Sequence, residues 1–458
     1  MATSASFDDA LALSRFGLGS GPEGCDAIGG RARQILADEI RAGSAIFNTD
    51  PPLKSSAELL SAVADYRTLV RAHARDASVA LPTSPVAPVY LNELTLRYNG
   101  PLMAPQIGFN ERLVMFWTNH FAVSIDKSEE LRSAAGAFER EAIRPNIFGR
   151  FKDLVMAVET HPAMLLYLDN PQSVGPDSTT GVKSKRGLNE NLAREIMELH
   201  ILGVGSGYTQ GDVTAFAKAL TGWTLAGGNW KAPNGREVIR NDFYFAEAHH
   251  EPGDQDILGR VYSDDGFFQA ADVLHDLAGR PEAAHFIAGK LARHFVSDTP
   301  PSSLIKRLAD VFLQTDGDLA LVSHALIEAP EAWTPECVKM RLPQEYLAAM
   351  LRASGAHLPT DQLNMLLAAM GQPLWRPAGP NGYSDRFDAW ATPSGLLTRM
   401  DAADRVASLT TENIDPRFFA ASRLGSRLNA RTLEAVSRAE SPRQALSLVF
   451  MSPEFMRR

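Results

Sequence analysis

Apolar residues recur at spacings of three and four positions through most of this 458-residue chain. That period belongs to an α-helix with one buried face, whereas a half-buried strand alternates with a period of two. Clear examples are RLVMFWTNHF, FKDLVMAVE, DVTAFAKALTGW and AAHFIAGKLARHFV. The pattern therefore predicts an all-α fold, a large multi-helix orthogonal bundle.

One region departs from the helical pattern. Arg236–Glu247 follows the turn signal PNG and carries strand-forming residues, which predicts a small β-hairpin or long-loop excursion near 226–262. We expect 1–458 to form one helical unit. Its expected subdivision is an N-terminal helical half at 1–225, the insertion at 226–262, and a C-terminal helical half at 263–458.

Composition excludes several functional classes. The formal net charge of -9 argues against a duplex nucleic acid partner, because phosphate binding needs a basic surface. Cys25 and Cys337 lie outside any CxxC pair, which excludes a thiolate zinc site and a disulfide framework. No apolar run reaches about 18 residues, so no membrane span is expected. Without a signal peptide, the sequence predicts a cytoplasmic protein, with export bound to a partner as the alternative.

The central stretch NENLAREIMELH holds the most polar helical face. Asn191, Arg194, Glu195 and Glu198 lie at i, i+3, i+4 and i+7 and therefore share one side of a helix. Two carboxylates in one turn suit acid/base chemistry or a divalent metal, with Arg194 as the alternative counter-cation, and Asn191 and Arg194 are candidate substrate-binding residues. The competing interpretation is a solvated, salt-bridged face. His200 falls off this face, so no Glu-x-x-His ligand pair forms.

Two further segments carry candidate site residues. Asn119 and His120 end an apolar helical run and offer an amide to orient substrate and an imidazole to move protons. Lys290, Arg293 and His294 share a helix face at i, i+3 and i+4 and predict an anion-binding, substrate-contacting set. The alternatives are a structural histidine and another solvated face.

Two loops complete the set of candidates. The stretch EAHHEPGD contains His250, a second candidate proton carrier. A long polar loop before the central stretch carries Lys183, Lys185 and Arg186, which are candidates for holding an anionic group.

Several of these stretches together resemble a known bacterial family, named "domain of unknown function 1800". They are FWTNHF, HPAMLLYLDN, GLNENLAREIMELHILGVGSGYTQGDVTAFAKALTGWT, KLARHFVSD and TDGDLALVSHALIEAPEAW. The matching positions are Asn119, His120, Asn189, Glu190, Asn191, Arg194, Glu195, Glu198, His200, Gly203, Tyr208, Thr209, Asp212, Trp223, His250, Gly253, Lys290, Arg293 and His294. The resemblance covers nearly the whole chain and implies no particular reaction.

The resemblance also suggests a cellular compartment and a partner protein. Relatives are often exported and often occur beside a sulfatase-like family named "domain of unknown function 1501", which suggests such a protein as a partner. This chain departs from the family pattern in lacking an export signal. It also has Gln255 where relatives have Lys, which weakens an anion-binding role for the loop around His250.

Two functions of different classes follow. The first is an enzyme of hydrolase or transferase type that acts on an anionic or glycan-like substrate, in a polar cleft lined by the central helix. The second is a non-catalytic adaptor or escort for the sulfatase-like partner. Convergence of Glu195, Glu198 and His120 in an open cleft favours the enzyme. The same groups sealed and fully paired favour the adaptor.

Overall fold

The computed structural model describes residues 7–43, 46–47, 49, 52–104, 106–184, 186–227, 240–410 and 414–458. Its helices are α1 (Phe7–Arg15), α2 (Ala32–Ala42), α3 (Ser56–Arg75), α4 (Val86–Met103), α5 (Phe109–His120), α6 (Glu129–Phe138), α7 (Phe151–Glu159), α8 (Pro162–Tyr167), α9 (Thr179–Ser184), α10 (Asn191–Glu195), α11 (Gln210–Ala219), α12 (Phe267–Ala278), α13 (Pro281–Phe295), α14 (Ser302–Gln314), α15 (Leu319–Glu328), α16 (Pro343–Ser354), α17 (Thr360–Ala369), α18 (Phe387–Trp390), α19 (Pro393–Leu409), α20 (Pro416–Leu424), α21 (Ala430–Ser437), α22 (Pro442–Met451) and α23 (Pro453–Met456). Two π-helical turns, Glu139–Ile143 and Ile196–Ile201, continue α6 and α10.

The predicted all-α class with a small β excursion is confirmed. Strand β1 (Trp223–Leu225) pairs antiparallel with β2 (Phe243–Phe245), and β3 (Gln255–Ile257) pairs with β4 (Arg260–Tyr262). Thus the second half of the predicted hairpin segment pairs with residues that precede it. Positions 236–239 of that segment lie outside the described residues. Within the described ranges, no helix combines the length and apolar character needed to cross a membrane.

Side-chain caps set the helix starts that the sequence indicates. The Thr209 hydroxyl accepts from the Asp212 N–H, and the Asp212 carboxylate accepts from the Thr209 N–H at 2.7 Å, which makes a capping box for α11. Ser441 caps α22 in front of Pro442 at the first helical position. These local bonds satisfy N–H groups that an isolated helix end leaves open.

The buried apolar side chains form two main cores. The first packs α1, α2, α5 to α8 and α10 to α15 around side chains such as Trp117 and Phe295. The second packs α16, α17 and α19 to α23 around side chains such as Tyr346 and Phe450. The change from one core to the other falls near residue 340, a position that the sequence pattern did not single out.

Charged side chains fill the space between the two cores. The Glu345 carboxylate on α16 lies 3.0 Å from the Arg112 guanidinium on α5 and 2.6 Å from that of Arg458. All three side chains are at most 1% exposed. Burial alone raises the pKa of Glu345, but the two guanidinium groups outweigh it and hold that pKa below its usual value. One ionised carboxylate therefore joins three distant segments.

We expect Glu345→Gln to destabilise the protein by about 3–5 kcal/mol, because Arg112 and Arg458 would remain buried without their counter-charge. Urea unfolding followed by circular dichroism measures this change. The matched control is the double variant Glu195→Gln/Glu198→Gln, whose side chains are half-buried on a helix surface. It should change the free energy of unfolding by less than about 1 kcal/mol. Equal losses in the two variants would contradict the central role of Glu345.

Candidate functional site

The central polar stretch folds differently from a continuous α-helix. The α-helix α10 ends at Glu195, and the π-helical turn carries Glu198. Arg194 still lies between two carboxylates as its spacing predicts, 3.0 Å from Glu190 and 3.6 Å from Glu198. Asn191 is exposed, and its backbone N–H donates to the Asn189 side-chain oxygen at 3.0 Å. This face of the helix is thus largely a solvated ion-pair surface.

Glu195 is a half-buried carboxylate of that face. Burial raises its pKa; repulsion from Glu198 adds to the rise, while His200 and Arg194 oppose it. Within the described residues, no three His, Cys, Asp or Glu side chains come together in a metal-binding arrangement. Glu195 and Glu198 do not converge with His120 in one cleft, and they are not sealed in the interior either. An open cleft that holds all three residues would have favoured the enzyme, and a sealed, fully paired set would have favoured the adaptor. The structure shows neither arrangement.

His200 joins the central stretch to the interior. Its Nδ1 lies 2.8 Å from Glu159 Oε1, and both side chains are fully buried. Because the helix ends at Ile201, its last carbonyl groups lack partners in the helix. His120 supplies one such partner, since its Nε2 lies 2.9 Å from the His200 carbonyl oxygen. The Glu159–His200 pair thereby supports the backbone that orients His120.

Five of the predicted site residues meet in one pocket of about 310 Å³, which we call the Lys290 pocket. It lies between the C-terminal ends of α5 and α13 and the segment 381–386. Its lining is Phe116, Asn119, His120, Lys290, Arg293, His294, Asp298, Asn381, Tyr383, Ser384, Asp385 and Arg386. The structure therefore unites the Asn119–His120 pair with the Lys290, Arg293 and His294 face.

Sequence reasoning missed the third wall of this pocket. The segment 381–386 belongs to the long Gly- and Pro-rich stretch GQPLWRPAGPNGYSDR, and long loops of this kind are usually functional. Its length and composition were the signal that could have found it. No helical period runs through it, so a search for amphipathic helices passes over it.

Asn119 attaches this loop to α5. Its side-chain Nδ2 donates to the Tyr383 carbonyl oxygen at 2.9 Å, and its Oδ1 accepts from the Tyr383 N–H at 2.7 Å. Gly382 makes the approach possible, because a Cβ there would lie 2.3 Å from the Asn119 carbonyl oxygen. In this structure the amide of Asn119 thus positions the pocket wall.

Lys290, on the cationic side of the pocket, has a lowered pKa. Burial lowers the pKa of Lys290 to about 8; Asp385 opposes the change and Arg293 adds to it. The Lys290 Nζ lies 5.5 Å from the centroid of the Phe286 ring. Among the described residues, neither Lys290 nor Arg293 makes an ion pair or a side-chain hydrogen bond. Their charges therefore face the pocket without a bound counter-charge from the protein.

Two neutral imidazoles form the inner wall. Burial holds the pKa of both His120 and His294 well below the usual value, and neighbouring cations add to this effect. The Arg112 guanidinium donates to His294 Nε2 at 3.2 Å, so the proton of His294 lies on Nδ1. By the same reasoning, the bond to the His200 carbonyl places the proton of His120 on Nε2. His120 Nδ1 is then a buried acceptor with no partner among the described residues.

The remaining candidates lie elsewhere. His250 is buried in a different pocket, with Nδ1 2.9 Å from the Thr221 carbonyl oxygen. Lys183 is exposed in α9, Arg186 is exposed just after that helix, and Lys185 lies outside the described residues. The candidate residues are thus divided among the central-helix surface, the Lys290 pocket and the pocket that holds His250.

Comparisons with known proteins place the chain in a family without identifying its reaction. Neither the curated proteins nor the solved structures include a match to it. A family model described as "Protein of unknown function (DUF1800)" matches residues 11–457, which confirms the resemblance seen in the sequence motifs. Since this match spans nearly the whole chain, the protein belongs to the DUF1800 family.

Proposed function

We propose that the protein is an enzyme of hydrolase or transferase type that binds an anionic group of its substrate in the Lys290 pocket. One observation carries this proposal. Lys290 and Arg293 share the pocket, and neither has an ion-pair partner among the described residues. Half-buried cations normally acquire a counter-charge, and a carboxylate, sulfate or phosphate group of a ligand would supply it.

The charges around the pocket favour an anion over a cation. Asp298 is already committed, because its carboxylate lies 2.5 Å from Lys339 Nζ and accepts the Phe387 N–H at 2.7 Å. Asp385 is then the one carboxylate among the described lining residues that makes no ion pair, and its charge acts on Lys290. Lys290 and Arg293 therefore carry more positive charge than Asp385 can offset, and an anionic group would neutralise the excess.

The same lining supports catalysis in addition to binding. Titratable groups with shifted pKa values in a pocket are candidates for acid/base work, and both Lys290 and His120 meet that condition. We assign His120 the role of proton acceptor, since it is neutral and its Nδ1 has no partner among the described residues. Glu159 and His200 orient it, as a third group orients the base in many hydrolytic sites.

The adaptor or escort role is the second candidate, and a separate observation favours it. Leu396, Leu397 and Met400 are exposed together on α19, where Leu397 and Met400 are 61% and 47% exposed. Exposed apolar side chains that cluster on one helix are typical of protein-binding surfaces. A sulfatase-like partner is the one that the family resemblance suggests. Because these side chains do not line the Lys290 pocket, the two functions can be tested separately.

We expect sulfate and phosphate to bind to the wild-type protein in isothermal titration calorimetry. Lys290→Met keeps the length of the side chain and removes its charge, so it should weaken this binding about tenfold to a hundredfold. The matched control is Lys183→Met, an exposed lysine outside the pocket, which should leave the affinity unchanged. Equal affinities in all three proteins would refute the assignment of the pocket as an anion site.

The affinity for sulfate should depend on pH through Lys290. The charged ammonium group binds the anion, and its pKa is lowered to about 8. Binding should therefore be constant below that pH and weaken about tenfold per pH unit above it. Sulfate is the suitable probe because its own charge does not change in this range. In Lys290→Arg the decline should disappear, and a decline of the same size in that variant would assign the titration to another group.

Turnover tests the catalytic part of the proposal. p-Nitrophenyl phosphate, sulfate and glycosides serve as chromogenic substrates. We expect at least one to be hydrolysed, and we expect His120→Gln to lower kcat about a hundredfold or more while sulfate affinity is kept. Glutamine retains a donor for the His200 carbonyl oxygen, so it replaces the base with little loss of packing. Anion binding without hydrolysis of any ester would support a binding role in place of the enzyme.

A further inference from the structure

A second pocket, of about 640 Å³, lies where the β excursion meets α9 and α12. We call it the His250 pocket, and its lining is Asp177, Ser178, Thr179, Phe245, Glu247, His250, Pro252, Asp264, Asp265, Gly266, Phe267 and Phe268. We propose that it binds an organic cation that donates hydrogen bonds, a primary ammonium or guanidinium group. This site is distinct from the Lys290 pocket and does not depend on the proposed reaction.

The charge of the lining is the first argument. It contains four carboxylates and no lysine or arginine among the described residues. Asp177, Glu247 and Asp265 make no ion pair with a described residue, and Asp264 accepts the Gly253 N–H at 2.8 Å. A concave surface lined by one sign of charge raises the local concentration of opposite charge. Exposed carboxylates are also readily solvated, so the charge alone does not define a site.

His250 supplies the second, independent argument. Its side chain is 5% exposed, and its Nδ1 lies 2.9 Å from the Thr221 carbonyl oxygen, which places a proton on Nδ1. The Nε2 atom makes no hydrogen bond to a described residue and lies 3.5 Å from Asp264 Oδ1. In the neutral imidazole, Nε2 and the carboxylate are therefore two acceptors that face each other. These two atoms lie too close for a donor nitrogen between them, so a group with two N–H bonds that approaches from one side, as an ammonium or guanidinium group does, would donate to both.

The aromatic lining distinguishes an organic cation from a metal ion. Phe245, Phe267 and Phe268 border the same pocket, and Phe268 is 58% exposed. The faces of aromatic rings attract ammonium and guanidinium groups. In contrast, no three His, Cys, Asp or Glu side chains of the described residues lie close enough together to coordinate a metal ion. Spread carboxylates, aromatic rings and a buried acceptor that receives no hydrogen bond from a described residue suit a larger cation with several N–H donors.

The test uses butylammonium as the probe, with the full chain and calorimetric titration. Butanol has the same alkyl group without the charge, and tetramethylammonium has the charge without N–H donors. We expect saturable binding of butylammonium, weaker binding of tetramethylammonium and none of butanol.

Asp265→Asn and Glu247→Gln, both exposed, should each weaken butylammonium binding about fivefold or more. The control Asp256→Asn removes one exposed carboxylate from β3, outside the pocket, and should change affinity less than about twofold.

A second readout reports on His250 itself. In a protein labelled with ¹⁵N at histidine, butylammonium should shift the Nε2 resonance of His250 and leave that of exposed His357 unchanged. An acetyl-Gly-Lys-Gly amide peptide then identifies the source of the cation. Tighter binding of the peptide than of butylammonium would support a lysine side chain of a partner protein, and equal binding would support a free amine. Absence of saturable binding, or equal losses in Asp265→Asn and Asp256→Asn, would overturn the proposal.

Discussion

The contact on which the rest of the structure depends is the buried carboxylate of Glu345 between Arg112 and Arg458. It connects the first core, through α5, with the second core, through α16. Arg112 also donates to His294 Nε2, so the same guanidinium orients one wall of the Lys290 pocket. Buried ion pairs add little net stability compared with apolar contacts, but an uncompensated member is costly. The network therefore allows one relative placement of the elements and excludes others.

Buried arginines also donate hydrogen bonds to carbonyl groups of the loops between helices. Loops that connect buried helices leave carbonyl groups away from water, and each needs a donor. Arg15 donates to the carbonyl oxygens of Ala332, Thr334 and Glu336, and Arg112 donates to that of Gly17. The planar guanidinium reaches several acceptors at once, which a lysine does not. The terminal nitrogens of those arginines are bound by oxygen atoms of the protein, whereas Lys290 and Arg293 make no ion pair with a described residue and are available to a ligand.

The two pockets have opposite chemical character. The Lys290 pocket presents cations beside neutral imidazoles, whereas the His250 pocket presents carboxylates beside aromatic rings. In each, the informative observation is a buried histidine with one nitrogen bonded to a backbone carbonyl and the other without a hydrogen bond to a described residue. The carbonyl fixes the tautomer, and the second nitrogen is left as an acceptor. Charge then decides which ligand each pocket suits.

Local patterns in the sequence determined much of this protein. Apolar periodicity located the helices, Thr209 and Ser441 marked starts of helices, and the spacing of Lys290, Arg293 and His294 placed them on one turn. Such features depend on neighbours within about four residues, which the sequence displays directly. The ion pairs of Arg194 with Glu190 and Glu198 have the same origin, because each joins residues four positions apart.

Only the tertiary structure decided which of these features meet. It brought Asn119 and His120 against Lys290, added the loop around Tyr383 as the third wall, and left Glu195 and Glu198 on a half-exposed surface. It also replaced the end of the central α-helix by a π-helical turn. The physical reason is that these outcomes depend on burial and on hydrogen bonds between distant segments, such as the Asn119–Tyr383 pair. The period of a helix carries no information about them.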